Sequence, residues 1–276
     1  MGLRKRRVVW LHIGMHRTAS TSIQISLESL SKMGYSRGMI YYPSTGIEVR
    51  DGVFDYGHNS LVGHTLRSVD SDLFQRLRLE ISTVPYDVPV LMSAEEFWST
   101  DPQRIIAELG ECETKVVCFD REFLDWLGSI WSLVSPTTLL GTPYEFFRRS
   151  IRDIGECRDR GDISFFDKNR IIERWVGAVG ASNFYRIRYP VTNPLISLLE
   201  PILSGPIPAD WRNLNVKENR SGDINEIINK ILNRHGVAYN FPENNTEVAA
   251  FRALEIERMS GEKVFGDNVL KLLSIF

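Results

Sequence analysis

The first turn of this chain constrains its fold more than any other feature. Val8 to Ile13 is a short apolar run that passes directly into Gly14-Met15-His16-Arg17-Thr18-Ala19-Ser20-Thr21. Beyond that loop Ile23, Leu27 and Leu30 recur at helical spacing, with Gly34 where a C-cap belongs. The order is strand, tight loop, helix. The first N–H groups of such a helix have no intrahelical partner, and the helix dipole adds partial positive charge. By geometry this is a phosphate site. Thr18, Ser20, Thr21 and Ser22 bring hydroxyls to it, and Arg17 brings a fixed positive charge. The same residues also suit a well-capped helix whose hydroxyls serve their own backbone.

The remaining pattern extends this start. Met39 to Tyr42 predicts a strand stopped by Pro43, and residues 44–65, rich in Gly, His, Asn and Ser, predict a long irregular loop. Leu73, Leu77, Ile81 and Val84 predict a helix, and Val88 to Met92 a strand that leads into Ser93-Ala94-Glu95-Glu96. Asp101-Pro102 is a cap and first-turn pair for a short helix ending at Leu109. Lys115 to Phe119 reads as a strand leading into Asp120-Arg121 and a helix ending near Val134. Thr142-Pro143-Tyr144-Glu145 is a capping box that opens a charged helix. A further helix over 167–179 and an alternating strand, Phe184 to Tyr189, follow, and the last third reads as helical around Ile224, Ile227, Ile228, Ile231 and Leu232. Strands alternating with helices predict an α/β fold with a central parallel sheet flanked by helices. With no repeat and no linker, one domain over 1–276 is the simplest organisation.

Composition narrows the function classes. At 276 residues the chain can bury a core without a metal or disulfide staple. Cys112, Cys118 and Cys157 lack zinc or dithiol spacing and read as free thiols in a reducing compartment. A net charge of −2 argues against a nucleic-acid partner and for a small anionic ligand held by a local cluster. The basic stretch Arg4-Lys5-Arg6-Arg7 precedes an apolar run broken by His12 and followed by no cleavage site. No stretch reaches the ~20 apolar residues that a membrane span needs. The expectation is a cytoplasmic protein.

The loop is not built for a magnesium-bound triphosphate. A Walker A sequence needs Gly, four residues, then Gly-Lys followed by Ser or Thr, and no such run occurs. This counts against a P-loop kinase.

His12-Ile13-Gly14-Met15-His16-Arg17-Thr18-Ala19-Ser20-Thr21-Ser22-Ile23-Gln24 resembles the 5′-phosphosulfate loop of bacterial carbohydrate-type sulfotransferases. Those enzymes use 3′-phosphoadenosine 5′-phosphosulfate (PAPS). Their usual core is Lys-Thr-Gly-Thr-Thr-Ser, so Arg17 stands for the Lys and Ala19 for the Gly. Arg keeps the charge without the compact ammonium, and Ala restricts the backbone wherever a positive φ is required. The resemblance implies a three-layer P-loop-type fold and transfer of a sulfuryl group from PAPS to an acceptor hydroxyl, on a carbohydrate, without a metal. A non-catalytic nucleotide-binding protein of the same fold is the alternative that the two departures motivate.

The resemblance also assigns residues. Thr18 to Ser22 would hold the 5′-phosphosulfate, and Arg17 would stabilise charge on the bridging oxygen. Val116 to Arg121, then Trp126-Leu127-Gly128-Ser129, match the family's 3′-phosphate grip, which makes Arg121 and Ser129 cofactor ligands. An Arg at a strand end can hold phosphate through two N–H donors, and a surface ion pair is its other use. Residues 205–222 match a capping loop, with Lys217 and Arg220 toward the 3′-phosphate; an ordinary N-cap fits them too. Met92-Ser93-Ala94-Glu95-Glu96 resembles a Ser-Ser-Glu strand end, so Glu95 is the candidate base and Glu96 its neighbour alternative. Glu95 also suits a helix start, where the dipole favours a carboxylate. His58 and His64 in the long loop are candidate acceptor contacts or polar surface residues, and two His alone make poor metal ligands. Trp98, Trp126, Trp131 and Trp175 are expected in the core. The arginines at 148, 149, 152, 158 and 160 either face an anionic glycan or form a solvated helix face with Asp153, Glu156 and Asp159.

Overall fold

The computed structural model describes residues 6–32, 38–50, 53–62, 69–134, 143–212 and 214. In chain order these form β1 (Val8–Ile13), α1 (Ser20–Lys32), β2 (Glu48–Arg50), β3 (Val53–Asp55), α2 (Ser71–Ser82), β4 (Val90–Ala94), α3 (Pro102–Leu109) and β5 (Glu113–Arg121). Then come α4 (Phe123–Val134), α5 (Pro143–Asp159), α6 (Lys168–Val179), β6 (Phe184–Tyr189), α7 (Pro194–Leu199) and α8 (Ala209–Arg212). Two compact units divide the chain, Met1–Ile130 with Ser150–Asn219 and Trp131–Arg149 with Arg220–Phe276. The first holds the sheet and everything described below.

The sheet has the order β4-β1-β5-β6, and every pairing in it is parallel. The chain is an α/β protein, a central parallel sheet flanked by helices. β1 is central and buried at nearly every position, as a strand covered on both faces must be. On one face Trp10, Leu91, Val117 and Phe119 pack under α1, α7 and α8 through Ile23, Leu27, Leu198 and Trp211. On the other parity Val9, Leu11, Ile13, Met92, Val116 and Cys118 are fully buried as well. α6 lies along β5 and β6.

Local chemistry places the helices where the sequence predicts them. Asp101 Oδ1 accepts from Gln103 N at 3.2 Å with Pro102 as the first helical residue of α3, and Asp167 caps α6 through Arg170 N. Trp98, Trp126 and Trp175 are fully buried, as expected of core residues.

Two expectations change. The Met39–Tyr42 segment contributes a single bridge, Tyr41 to Val90, with Tyr41 N donating to Pro89 O and Leu91 N to Tyr41 O. Pro43 ends it there. Residues 44–65 are also more regular than predicted. β2 and β3 pair antiparallel from Glu48↔Asp55 to Arg50↔Val53, and a 3-10 turn covers Asn59–Leu61. The residues between the strands are Asp51-Gly52, a dipeptide favoured in two-residue hairpin loops. The predicted helix near Ile224, and Trp131's side chain, lie outside the described residues.

Candidate active site

The loop between β1 and α1 begins where Gly14 N donates to Ala94 O at 3.0 Å, which ties it to the carboxyl end of β4. A Cβ on Gly14 would lie 2.8 Å from Ser20 Oγ, 3.2 Å from Glu95 Cγ and 3.3 Å from Glu95 Cα, so only glycine fits. Arg17 and Ala19 both have positive φ, 67° and 66°, while Thr18 between them does not. Alternation of this kind curls successive amides into an anion-binding nest. Thr18 Oγ1 donates to Met15 O at 2.5 Å and closes the curl. Ser20 Oγ is buried beside the Glu95 carboxylate, which it helps to hold in its charged form. Thr21 is exposed and Ser22 buried on the first turn of α1.

The strand end of β5 brings a second cation to the loop. Arg121 Nη1 donates to Arg17 O at 3.1 Å, and the Arg121 guanidinium lies over the Tyr189 ring at 5.7 Å. Lys168 Nζ holds the Arg121 carbonyl at 2.8 Å and Asp120 Oδ1 at 2.8 Å, which fixes the end of the strand. Arg17 Nε in turn donates to Ser129 Oγ on α4 at 3.0 Å. Arg17, Arg121 and Ser129, expected as one constellation from the sequence, are therefore neighbours. Neither guanidinium pairs with a carboxylate among the described residues. Burial and the nearby Arg121 charge hold the Arg17 pKa below its ordinary value, against the pull of Glu95. The loop thus carries two partly buried cations with no carboxylate pairing among the described residues, an arrangement suited to anions. Since an Arg has five N–H donors, each keeps donors to spare.

Across the loop, His16 Nδ1 lies 2.8 Å from Glu95 Oε2, and a quarter of each side chain is exposed. Trp126 Nε1 donates to His16 O at 3.0 Å, and the imidazole rests against Phe165 at 5.4 Å. Asn59 Oδ1 accepts from Glu95 N at 3.0 Å and from Glu96 N at 3.4 Å, which caps the turn that follows β4. Burial alone would lower the His16 pKa, but the bond to Glu95 and its charge raise it above the ordinary value. For Glu95, burial pushes up while the His16 bond pulls down, and the net direction is down. The pair thus favours a charged carboxylate with the imidazole proton directed at it.

Beneath the loop lies a buried polar network. His12 and Ser93 are register partners on β1 and β4, so their side chains share a face. His12 Nδ1 lies 2.8 Å from Ser93 Oγ, which also accepts from Gln24 Nε2 of α1 at 3.1 Å. Burial lowers the His12 pKa to about 4 despite the Glu95 charge nearby.

His58 sits within this packing, fully buried, with Nε2 3.0 Å from Pro43 O and Nδ1 3.3 Å from Ser93 O. Those contacts make it an internal strut of the 44–62 loop and leave it no face for an acceptor. His64, Lys217 and Arg220 lie outside the described residues, as do 215–222 of the expected capping loop. On α5, Arg152, Arg158 and Arg160 pair with Glu156, Asp167 and Asp162, the pattern of a solvated face. Among the described residues no group of three or more His, Cys, Asp or Glu could hold a metal ion, and no helix is long and apolar enough to cross a membrane. Sequence reasoning overlooked His16 as the partner of Glu95, because 79 residues separate the two and only the β1–β4 pairing brings them together.

No protein-family model and no curated protein matches the chain. Among solved structures the chain is similar to the crystal structure of a sulfotransferase from Alicyclobacillus acidocaldarius, with 13% identity, a TM-score of 0.40, and coverage of 95% of this chain and 98% of that one. At that level of likeness, function rests on the residues of the site.

Proposed function

We propose that this protein is a PAPS-dependent sulfotransferase that transfers a sulfuryl group to an acceptor hydroxyl. The observation that carries the reading is the pairing of Arg17 and Arg121, two guanidiniums without a carboxylate partner among the described residues, one in the anion nest and one at the adjacent strand end. Arg17 in the loop and Arg121 at the strand end, with Ser129 of α4 bonded to Arg17, suit a nucleotide that carries phosphate at both its 5′ and 3′ positions. Ligands of open α/β sheets bind at these carboxyl strand ends.

When bound, PAPS supplies an activated sulfuryl group on its 5′-phosphate. The nest amides and the Ser20 hydroxyl hold the 5′ group. Arg17, restrained by Ser129, stabilises charge developing on the bridging oxygen, and a preorganised charge of this kind needs no rearrangement during reaction. Arg121 and Ser129 select the 3′-phosphate. The acceptor's proton goes to the Glu95–His16 pair. A carbohydrate acceptor rests on the resemblance of the loop to the carbohydrate-type enzymes. Ala19 takes the φ that the family's Gly would take, so the departure leaves the loop's shape in reach.

Calorimetric titration with adenosine 3′,5′-bisphosphate, AMP and ATP tests the assignment. The bisphosphate should bind best. Arg121→Ala should narrow its advantage over AMP by about 10- to 100-fold, the worth of a charge-assisted hydrogen bond. Equal or absent binding of bisphosphate and ATP would refute the assignment, and an unchanged bisphosphate-to-AMP ratio would remove Arg121 from the site.

A further inference from the structure

We propose that His16 is the residue that takes the acceptor's proton, through Nε2, and that Glu95 positions it; this rests on the sulfuryl-transfer reading. Geometry separates the roles. Glu95 Oε2 is occupied by His16 Nδ1 at 2.8 Å, so the imidazole stands as the terminal member of the pair. That bond places the ring proton on Nδ1 and leaves Nε2 with its lone pair. Nε2 makes no hydrogen bond among the described residues.

The ring and its backbone are held from two directions. Phe165 backs it at 5.4 Å, and Trp126 ties its own backbone carbonyl at 3.0 Å. Glu95 is anchored through Asn59. A nucleophile's base oriented by a third group is the general plan of such sites. His16 also directly precedes Arg17 in the loop, so proton acceptor and sulfuryl clamp come from adjacent residues. The charged and titratable groups facing the ring are Glu95 and Glu96 from the turn after β4, and both raise its basicity. Arg17 turns its side chain toward Ser129 instead.

The step balances without a further reagent. The acceptor oxygen forms a bond to sulfur as its O–H proton passes to His16 Nε2. The bond from sulfur to the bridging phosphate oxygen breaks, and its electron pair leaves with adenosine 3′,5′-bisphosphate. The imidazolium then releases its proton to solvent, which the exposed quarter of the side chain reaches.

The test follows release of adenosine 3′,5′-bisphosphate from PAPS by the full chain, with mixed methyl glycosides as acceptors, between pH 5 and pH 9. The wild-type kcat should rise with pH through one inflection, because only neutral His16 accepts a proton. His16→Asn should bind the bisphosphate within about twofold of wild type and lose about 10²- to 10⁴-fold in kcat. Glu95→Gln should lose less and move the inflection to lower pH, since removing the carboxylate removes what raises the His16 pKa. A merely structural Glu95 would not move it. Bisphosphate binding reports folding, and the Glu95→Gln inflection decides the matter if His16→Asn does not fold. The proposal is overturned if His16→Asn keeps more than a tenth of kcat or if the wild-type rate shows no inflection. Failure of the sulfuryl-transfer reading looks different, since the wild type would then release no bisphosphate from PAPS or would bind ATP as well as the bisphosphate.

Discussion

Ala19 has φ 66° within the anion nest, and replacing it tests whether that curl is real. A left-handed backbone costs an L-residue about 1–2 kcal/mol that glycine does not incur. Glycine in turn gives the unfolded chain extra freedom, which costs about 0.4–1 kcal/mol. Ala19→Gly should therefore be neutral to stabilising, by up to about 1.5 kcal/mol. Ala19→Val should go the other way by about 1–3 kcal/mol, because a β-branched side chain is a true outlier at positive φ. Urea unfolding measures both as shifts in midpoint at constant slope. In thermal melts each kcal/mol should appear as about 2–4 °C. If Ala19→Gly destabilises by more than about 1 kcal/mol, or Ala19→Val is silent, position 19 does not hold a left-handed conformation and the nest argument fails with it.

Other predictions address separate parts of the same unit. Gly14→Ala drives a Cβ against Ser20 Oγ and the Glu95 backbone; it should cost about 1–3 kcal/mol by overpacking and abolish bisphosphate binding, as read by melting and calorimetry. His12, whose folded pKa lies at about 4 against 6.5 unfolded, stays neutral in the fold while the unfolded chain takes up a proton. Its stability contribution is full above pH 6.5 and falls by about 3 kcal/mol on acidification to pH 4. His12→Asn should flatten urea midpoints over that window. Glu80 accepts from Tyr41 Oη, Ser44 N and Oγ, and Thr45 N at 2.7–3.0 Å. These bonds outweigh burial and lower its pKa, so the stabilisation is present above the unfolded carboxylate pKa and lost as pH falls through the lower folded value. Glu80→Gln should speed hydrogen exchange at the Ser44 and Thr45 amides. Asp101→Ala removes the bond to Gln103 N and should cost about 1 kcal/mol with no effect on nucleotide binding.

Much of this protein was legible along the chain. The strand, loop and helix around Gly14 depend on local chemistry: an apolar run, small residues, hydroxyls at a helix start, and apolar spacing beyond. Asp101-Pro102 and Asp167 terminate helices through bonds to residues two or three positions away, so their effect is written locally. Arg121 and Ser129 were readable as a pair through the resemblance of their segment to the family's 3′-phosphate grip. Other features were not local. The His16–Glu95 contact exists because β1 and β4 run parallel in register, with Ile13 beside Ala94. That same register sets His12 beside Ser93, turns a polar pair inward, and lets Gln24 join them. His58, which in the sequence resembles any loop histidine, became a buried strut because Pro43 and Ser93 converge on it. The sequence by itself determined the α/β order and where an anion can bind. Tertiary structure decided which carboxylate meets which imidazole, because strand pairing, rather than proximity along the chain, puts side chains within hydrogen-bonding distance.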